Sequence, residues 1–205
     1  MSAQKHWDHV YETKQPDEVS WYSPHLEHSL KLISEATNHN KVAQICDVGA
    51  GESTLVDDLL EQGYTNLSAL DISDAALAVT KKRLGKRKDL VTWYVGDITS
   101  IALPEAHFDV WHDRAVFHFL TEPEQRAAYV EQVKKSVKHG GRVIVAAFGP
   151  NGPLKCSGLD VVRYDSKSLH GQFGRSFELV EHTEENHITP WGTVQQFVYC
   201  YCKLL

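Results

Sequence analysis

The run from Asp47 to Ser53 has the residue types and the spacing of a turn that holds a nucleotide. It reads Asp47-Val48-Gly49-Ala50-Gly51-Glu52-Ser53 and joins a strand-like apolar run, which ends at Cys46, to a helical pattern. Glycine suits such a turn because it lets the backbone bend tightly and approach a ligand closely. Ser53 stands where a third glycine is usual, so the turn alone is a weak indication of a nucleotide site.

Two carboxylates refine the chemistry expected of this turn. Asp71 closes the next apolar run, about 20 positions after the glycines, where an acid accepts from two ribose hydroxyls. Asp47 ends the first strand, where a dinucleotide would press its pyrophosphate against the helix N-terminus. Because two anions repel each other, a ligand with a cationic amino or sulfonium group suits this position better. The residues therefore favour S-adenosylmethionine over NAD as the cofactor.

The order of these motifs resembles that of the class I S-adenosylmethionine-dependent methyltransferases. The resemblance spans about residues 40–150 and rests on Asp47-Val48-Gly49-Ala50-Gly51, Leu70-Asp71-Ile72-Ser73, Gly96-Asp97-Ile98-Thr99, Phe108-Asp109-Val110-Trp111-His112-Asp113-Arg114 and the late apolar run 140–148. It implies that Gly49 and Gly51 adjoin the methionine moiety, that Asp71 holds the ribose, and that Asp97 with Ile98 flanks the adenine. It also implies that His112 and Asp113 lie beside the reactive methyl group. Asp47, Ala50 and Ile72 complete the expected cofactor set.

The methyl acceptor is expected at the carboxyl edge of the sheet, where ligands collect in open α/β folds. Asp113 and Arg114 directly follow the predicted fourth strand, and we predict catalytic roles for both. His118 is a substrate-side candidate because histidine titrates near neutral pH. The alternatives are a salt-bridged strand end for the first two residues and a packed core residue for His118.

Two later segments offer further acceptor-side candidates. In the loop after the fifth strand, Arg163 would orient an anionic acceptor, and Cys156 is either a soft-atom ligand of lowered pKa or an unreactive thiol. In the predicted hairpin turn near residue 190, His187 is a third catalytic candidate and Trp191 a wall of the acceptor pocket. The alternative for this turn is a purely structural role.

The N-terminal segment, residues 1–39, lies outside the predicted sheet and is rich in aromatic residues. We expect it to form a helical lid in which Tyr11 and Trp21 cover the methionine end of the cofactor. The alternative is that these aromatic side chains only pack the segment onto the domain.

Alternating strand and helix patterns must position these residues. Strands are expected at 42–46, 67–71, 91–95, 108–112 and 142–148, helices at 54–62, 74–84, 122–138 and 166–173, and a closing pair of β-rich runs at 177–188 and 194–203. Such alternation indicates an α/β fold with a parallel sheet. The resemblance implies a Rossmann-like, seven-stranded sheet of order 3-2-1-4-5-7-6 with an antiparallel last strand. We expect one domain, 1–205, with a cofactor-binding core at 40–150 and a substrate-side loop and hairpin at 151–205.

Composition narrows the class of protein. A chain of 205 residues that is 42% hydrophobic suits a single globular domain, and its net charge of −6 disfavours a nucleic-acid partner. Without a leader pattern or a long apolar run, we expect a cytoplasmic protein that does not bind membranes. The four cysteines lack zinc-site spacing, so no metal is expected, and Cys200 and Cys202 are interpreted as core residues.

The sequence thus predicts an enzyme that transfers a methyl group from S-adenosylmethionine to a small-molecule acceptor by in-line displacement. A thiol or another soft nucleophile is the favoured acceptor. Two alternatives stay open at this point: a protein-lysine N-methyltransferase and a non-catalytic scaffold that binds the cofactor.

Overall fold

Alternating strands and helices build a seven-stranded sheet in the computed structural model, which describes residues 2–205. The sheet strands are β1 (Gln44–Val48), β2 (Asn66–Asp71), β3 (Val91–Val95), β4 (Phe108–Arg114), β5 (Val137–Phe148), β6 (Phe177–Ile188) and β7 (Val194–Leu204). The helices are α1 (Ala3–Thr13), α2 (Glu27–Ala36), α3 (Leu55–Glu61), α4 (Asp74–Leu84), α5 (Pro123–Ser136) and α6 (Ser166–Phe173). Short 3-10 helices lie at Pro16–Glu18, Gly85–Leu90, Phe117–Phe119 and Gly174–Ser176, and Lys155–Cys156 pairs with Leu159–Asp160 in a small ribbon.

The strand order is β3-β2-β1-β4-β5-β7-β6, as predicted. The pairs among β1 to β5 are parallel, whereas β7 runs antiparallel to both of its neighbours. Parallel neighbours need long crossovers, and α3 and α4 supply two of them. The order reverses between β1 and β4, so the carboxyl ends of these two strands flank a crevice in which such folds bind ligands.

Hydrophobic residues cover both faces of the sheet. Side chains alternate along each strand, so Val110 and Ile144 enter one core while Trp111 and Val143 enter the other. Central parallel strands are buried on both faces, which explains why the second half of β5, residues 143–148, is a continuous apolar run. Within residues 2–205, no helix has both the length and the apolar character needed to cross a membrane.

Several boundaries differ by two residues or more from the expected ones. β1 spans Gln44–Val48 rather than 42–46, so Asp47 lies within the strand. β4 continues to Arg114, two residues beyond the predicted end, so Asp113 and Arg114 belong to the strand and pair with β5. α5 ends at Ser136 rather than at residue 138, and the chain enters β5 directly because Val137 already pairs with Phe108. The register then shifts, and regular pairing resumes at Arg142, where the sequence predicted the strand to begin.

Candidate functional site

The glycine turn lies at the carboxyl end of β1 and is tied to β2. The backbone N–H groups of Gly49 and Ala50 both donate to the carbonyl of Leu70, at 2.8 and 3.0 Å. Gly49 and Gly51 adopt φ angles of +69° and +47°, a region that disfavours side chains. A Cβ at Gly49 would also collide with Val116, and one at Gly51 would lie 2.8 Å from Tyr11 Oη. The turn therefore requires glycine for its backbone and for the side chains that cover it.

Asp71 connects the end of β2 to this turn. Its Oδ2 accepts from the N–H of Gly51 and its Oδ1 from the N–H of Ser73, both at 2.9 Å. Burial raises the pKa of Asp71 to about 6, although these two hydrogen bonds favour the carboxylate. The carboxyl group is thus held rigidly at the edge of a cavity.

Two cavities lie at this edge of the sheet. The larger one has a volume of about 180 Å³ and runs along the ends of β1, β2, β3 and β4. The expected cofactor residues among its walls are Tyr11, Trp21, Gly49, Asp71, Ile72, Asp97 and Ile98. Its remaining wall includes Trp7, Arg114, Phe119, Cys156 and Leu159, which lie toward β4 and the small ribbon. The structure therefore brings the predicted cofactor residues of three strands to one cavity.

A smaller cavity of about 50 Å³ adjoins the first and shares Tyr11, Trp21, Gly49 and Arg114 with it. The other predicted cofactor residues, Asp47, Ala50, Gly51 and His112, line this second cavity together with Glu52. Because these four residues line both cavities, we consider the two cavities together as one candidate site.

Three charged groups that line the smaller cavity have an unpaired atom. Within residues 2–205, Asp47 Oδ2, Glu52 Oε2 and Arg114 Nη2 are buried and have no hydrogen-bond partner. Buried polar atoms normally have partners, so such atoms in a cavity wall indicate a ligand. Burial also raises the pKa of Glu52 to about 7. Two carboxyl oxygens and one guanidinium nitrogen match a ligand that carries both positive and negative groups.

Asp47 and Arg114 are held in place by their other atoms. Asp47 Oδ1 accepts from His112 Nδ1 at 2.7 Å, and His112 Nε2 lies 2.9 Å from Ser29 Oγ. Arg114 donates through Nη1 to the carbonyl of Trp21 and through Nε to Tyr199 Oη, each at 3.2 Å. These contacts fix the direction in which both side chains present their unpaired atoms.

Residues 2–26 cover the site, and we call them the cap. In α1, Asp8 Oδ1 accepts from Ser73 Oγ at 2.7 Å, directly beside Asp71. The Trp7 ring meets Phe119 edge-on with centroids 5.0 Å apart, and the Tyr11 ring lies 6.4 Å from that of Trp21. Burial and the nearby Asp71 carboxylate raise the pKa of Tyr11 well above its usual value, so its hydroxyl stays neutral. The cap thus encloses the site with aromatic surface, as a lid would.

Asp113 does not line either cavity. It is fully buried, and its two oxygens accept from the N–H of Val116 at 2.9 Å and from Tyr129 Oη at 2.6 Å. Burial raises its pKa to about 6. Since Val116 covers Gly49, this geometry suits a positioning role better than the predicted contact with the acceptor.

The two histidine candidates are also buried outside the cavities. His118 stacks on Phe148 with centroids 4.3 Å apart and accepts from its N–H through Nδ1. Burial lowers the pKa of His118 to about 3, which fits the alternative of a packed core residue. His187 donates from Nε2 to the carbonyl of Ser20 at 2.8 Å and so anchors the cap.

The remaining acceptor-side candidates are divided between the site and the surface. Arg163 Nη1 donates to the carbonyls of Pro150 and Gly152, and the Trp191 side chain is 57% exposed at the hairpin turn. Neither residue lines a cavity. Cys156 does line the larger cavity, but burial raises its pKa to about 11. Its burial fits the alternative of an unreactive thiol.

Sequence reasoning missed Glu52, Trp7 and Ser29 as site residues. Glu52 directly follows Gly51 in the turn, and this position could have indicated that it lines the site. Trp7 shares a helical face with Tyr11, four residues later, and this spacing could have indicated that both rings line the site. Ser29 lies on α2 and reaches His112 only through the tertiary fold.

Comparisons with known proteins show what this chain is similar to. The family model described as a methyltransferase domain matches residues 46–145. Mouse eEF1A lysine and N-terminal methyltransferase is 26% identical over 139 residues, which cover 68% of this chain and 19% of that protein. The chain thus spans about a fifth of the length of this curated relative.

Solved structures share the whole architecture. A structure reported for the conversion of a disulfide bond into a thioacetal group during echinomycin biosynthesis has a TM-score of 0.78 at 15% identity, covering 99% of this chain and 92% of that chain. The N-methyltransferase NodS from Bradyrhizobium japonicum WM9, in complex with S-adenosyl-L-homocysteine, has a TM-score of 0.72 at 14% identity, covering 97% of this chain and 98% of that one. These likenesses show a common fold.

Proposed function

Because this chain belongs to the class I S-adenosylmethionine-dependent methyltransferases, we propose that it transfers a methyl group to a small-molecule acceptor, a thiol or another soft nucleophile. The observation that carries this proposal is the set of unpaired charged atoms around the glycine turn. The cofactor, when bound, supplies a methyl group activated by a sulfonium.

The residues of the site fit S-adenosylmethionine at both of its ends. Asp47 Oδ2 and Glu52 Oε2 can accept from an ammonium group, and Arg114 Nη2 can donate to a carboxylate. Asp71 can accept from ribose hydroxyls at the edge of the larger cavity, while Asp97 and Ile98 lie beyond it at the end of β3. Two acids against one base give this region a net negative charge, which suits a cofactor of net positive charge.

The chain contributes alignment and exclusion of water rather than proton transfer. Methyl transfer is an in-line displacement, so holding donor and acceptor in line supplies much of the rate. The cap presents Trp7, Tyr11 and Trp21 to the cavity, and its closure removes water from the reacting groups. The contact between Asp8 and Ser73 holds this cap against α4.

The larger cavity favours an acceptor that needs no base. Tyr11 and Cys156 stay protonated at neutral pH because burial raises the pKa of each, and Arg114 is a cation. The two carboxyl groups in its wall, Asp71 and Asp97, belong to the nucleoside end in this proposal. An acceptor with a free lone pair at neutral pH, such as an acidic thiol, meets this condition.

Transfer of labelled methyl groups tests the proposal. The purified chain is incubated with methyl-labelled S-adenosylmethionine and separate panels of thiols, amines and carboxylates. We expect label in thiols, a loss of at least about tenfold in Arg114→Gln, and near-normal transfer in the exposed control Arg175→Gln. Label confined to amines or carboxylates would contradict the soft-nucleophile assignment.

A protein-lysine methyltransferase is the second candidate, and several curated relatives favour it. The mouse relative acts, by its name, on eEF1A lysine and on an N-terminus, and relatives from Danio rerio and Homo sapiens are named EEF1A lysine methyltransferase 2. A cell extract separated by size distinguishes the two candidates. Label in polypeptides and none in the low-molecular-weight fraction would overturn the small-molecule proposal. Cofactor binding without transfer to either fraction would favour the non-catalytic scaffold.

A further inference from the structure

Three side chains with metal-binding atoms meet on one face of the sheet, outside both cavities. They are His170 of α6 and Cys200 and Cys202 of β7, and their ligand atoms all lie within 4.8 Å of one another. Cys200 Sγ is 3.7 Å from His170 Nδ1, and both cysteines are free thiols. None of the three lines the candidate methyl-transfer site.

The fold explains how these residues come together. Cys200 and Cys202 are two positions apart in a strand, so their side chains project from the same face. α6 covers that face through Leu169 and Phe173, which belong to the same core as the two cysteines. Both cysteines are fully buried, whereas His170 is half-buried and gives the cluster access to solvent.

We infer that His170, Cys200 and Cys202 form a binding site for a divalent cation of borderline softness, such as Zn²⁺. Zinc–sulfur bonds of about 2.3 Å and zinc–nitrogen bonds of about 2.0 Å place neighbouring ligand atoms about 3.5 to 3.8 Å apart in a tetrahedral site. The observed separation of 3.7 Å between Cys200 Sγ and His170 Nδ1 lies in this range. The three ligands thus need little movement to close on an ion.

Charge selects a divalent ion over a monovalent one. Binding breaks two S–H bonds, forms two metal–sulfur bonds and one metal–nitrogen bond, and releases two protons to water. Two thiolates neutralise a dication, so the occupied centre carries no net charge among apolar neighbours. A monovalent soft cation would leave one buried negative charge, which is costly in such surroundings.

A tetrahedral site needs a fourth ligand, and the neighbouring strand carries one candidate. Four residues flank the two cysteines across β5 and β6: Val143 and Leu179 lie opposite Cys202, and Val145 and His182 lie opposite Cys200. Opposite residues in an antiparallel pair project from the same face, so His182 shares the face of the cluster. It is the one member of these four with a metal-binding atom. Its side chain is exposed and its ring lies outside the group of ligand atoms within 4.8 Å of one another, so it would have to turn toward the cluster to complete a two-cysteine, two-histidine set.

Cobalt substitution tests this site without reference to enzymatic activity. The full chain is stripped with a chelator and titrated with Co²⁺ alone, while the thiolate-to-cobalt charge-transfer absorption is followed. We expect one equivalent to saturate the band, Zn²⁺ to displace the cobalt, and about two protons to be released per ion. Absence of the band in the folded wild-type chain would overturn the inference.

Matched histidine and cysteine variants identify the ligands. His170→Gln should weaken Co²⁺ binding at least tenfold, whereas His139→Gln, at an exposed histidine outside the cluster, should bind as the wild type does. Cys202→Ser should reduce the charge-transfer band, whereas Cys156→Ser should leave it unchanged. Circular dichroism confirms that each variant is folded. A band of equal strength in His170→Gln and Cys202→Ser would show that the metal binds elsewhere and would also overturn the inference.

Discussion

Among single residues, the candidate site is defined by buried charges whose partners are not supplied by residues 2–205. Asp47, Glu52 and Arg114 each keep one atom unpaired in the smaller cavity. Leaving such an atom unsatisfied costs about 1 to 3 kcal/mol, so a ligand that pairs with it gains part of that cost as affinity. Ligand binding thus explains why Asp47, Glu52 and Arg114, whose unpaired atoms destabilise the unliganded fold, are present around the glycine turn.

Glu52 should make cofactor binding dependent on pH. Burial raises its pKa to about 7, and a cationic ligand favours the ionised form. Affinity should therefore fall by up to about tenfold for each unit of pH below 7, as the carboxylate becomes protonated. Titration calorimetry with S-adenosylmethionine measures this slope, and the matched variant Glu52→Gln should show a flatter one. Equal slopes in the two proteins would remove Glu52 from the cofactor site.

His118 should make the free energy of unfolding depend on pH. Burial lowers the pKa of His118 to about 3. In mildly acidic solution the imidazole is therefore protonated in the unfolded chain and neutral in the folded chain. Its contribution to stability is complete above about pH 6.5 and is lost as the pH falls toward 3.

The variant His118→Leu isolates this effect. Between about pH 6.5 and pH 5 it should gain about 2 kcal/mol of unfolding free energy relative to the wild type. Urea unfolding of both proteins at the two pH values measures the difference. Comparison with the wild type is needed because Asp71 and Asp113, whose pKa values are raised, shift stability in the other direction. An unchanged difference would show that His118 is accessible to protons in the folded chain.

Among secondary-structure elements, α1 and the ends of β1, β2 and β4 build the site together. β1, β2 and β3 are predictable because each is a short run rich in apolar residues that ends in an acid or is followed by glycine. The end of β4 was missed because Asp113 and Arg114 are charged, and only tertiary contacts with Tyr129 and Tyr199 make their burial tolerable. The passage from α5 into β5 was missed because Val137 pairs with Phe108, a contact distant in sequence.

The contact between Asp8 and Ser73 should control the opening of the cap. Ser73 also caps α4 by accepting from the N–H of Ala76, so the variant that isolates the cap contact is Asp8→Ala. A hydrogen bond to a charged group contributes about 1.5 to 3 kcal/mol, less at a half-exposed position, so we expect cofactor release to become about three to ten times faster. Stopped-flow release measures this rate, with Asp17→Ala as an exposed control. Identical release rates in all three proteins would show that this contact does not hold the cap.

In the molecule as a whole, the sequence predicts the cofactor half of the site better than the acceptor half. Gly49, Gly51, Asp71 and Asp97 are recognisable because the turn and the strand ends that hold them are local in sequence. The part of the larger cavity that we propose for the acceptor is formed by the cap, β4 and the small ribbon, whose approach depends on tertiary contacts such as that between His187 and Ser20. Arg163 and Trp191 have side chains suited to an acceptor site, but the tertiary fold places both outside the two cavities.

The most direct test of the account is a calorimetric titration with S-adenosylhomocysteine and with 5′-methylthioadenosine, which lacks the amino-acid end. The wild-type chain should bind the former at one site and at least about tenfold more tightly, because Asp47, Glu52 and Arg114 meet only the amino-acid end. Arg114→Gln should lose most of this preference, while Arg175→Gln should keep it. Equal affinity for the two ligands, or no binding of either, would contradict the account.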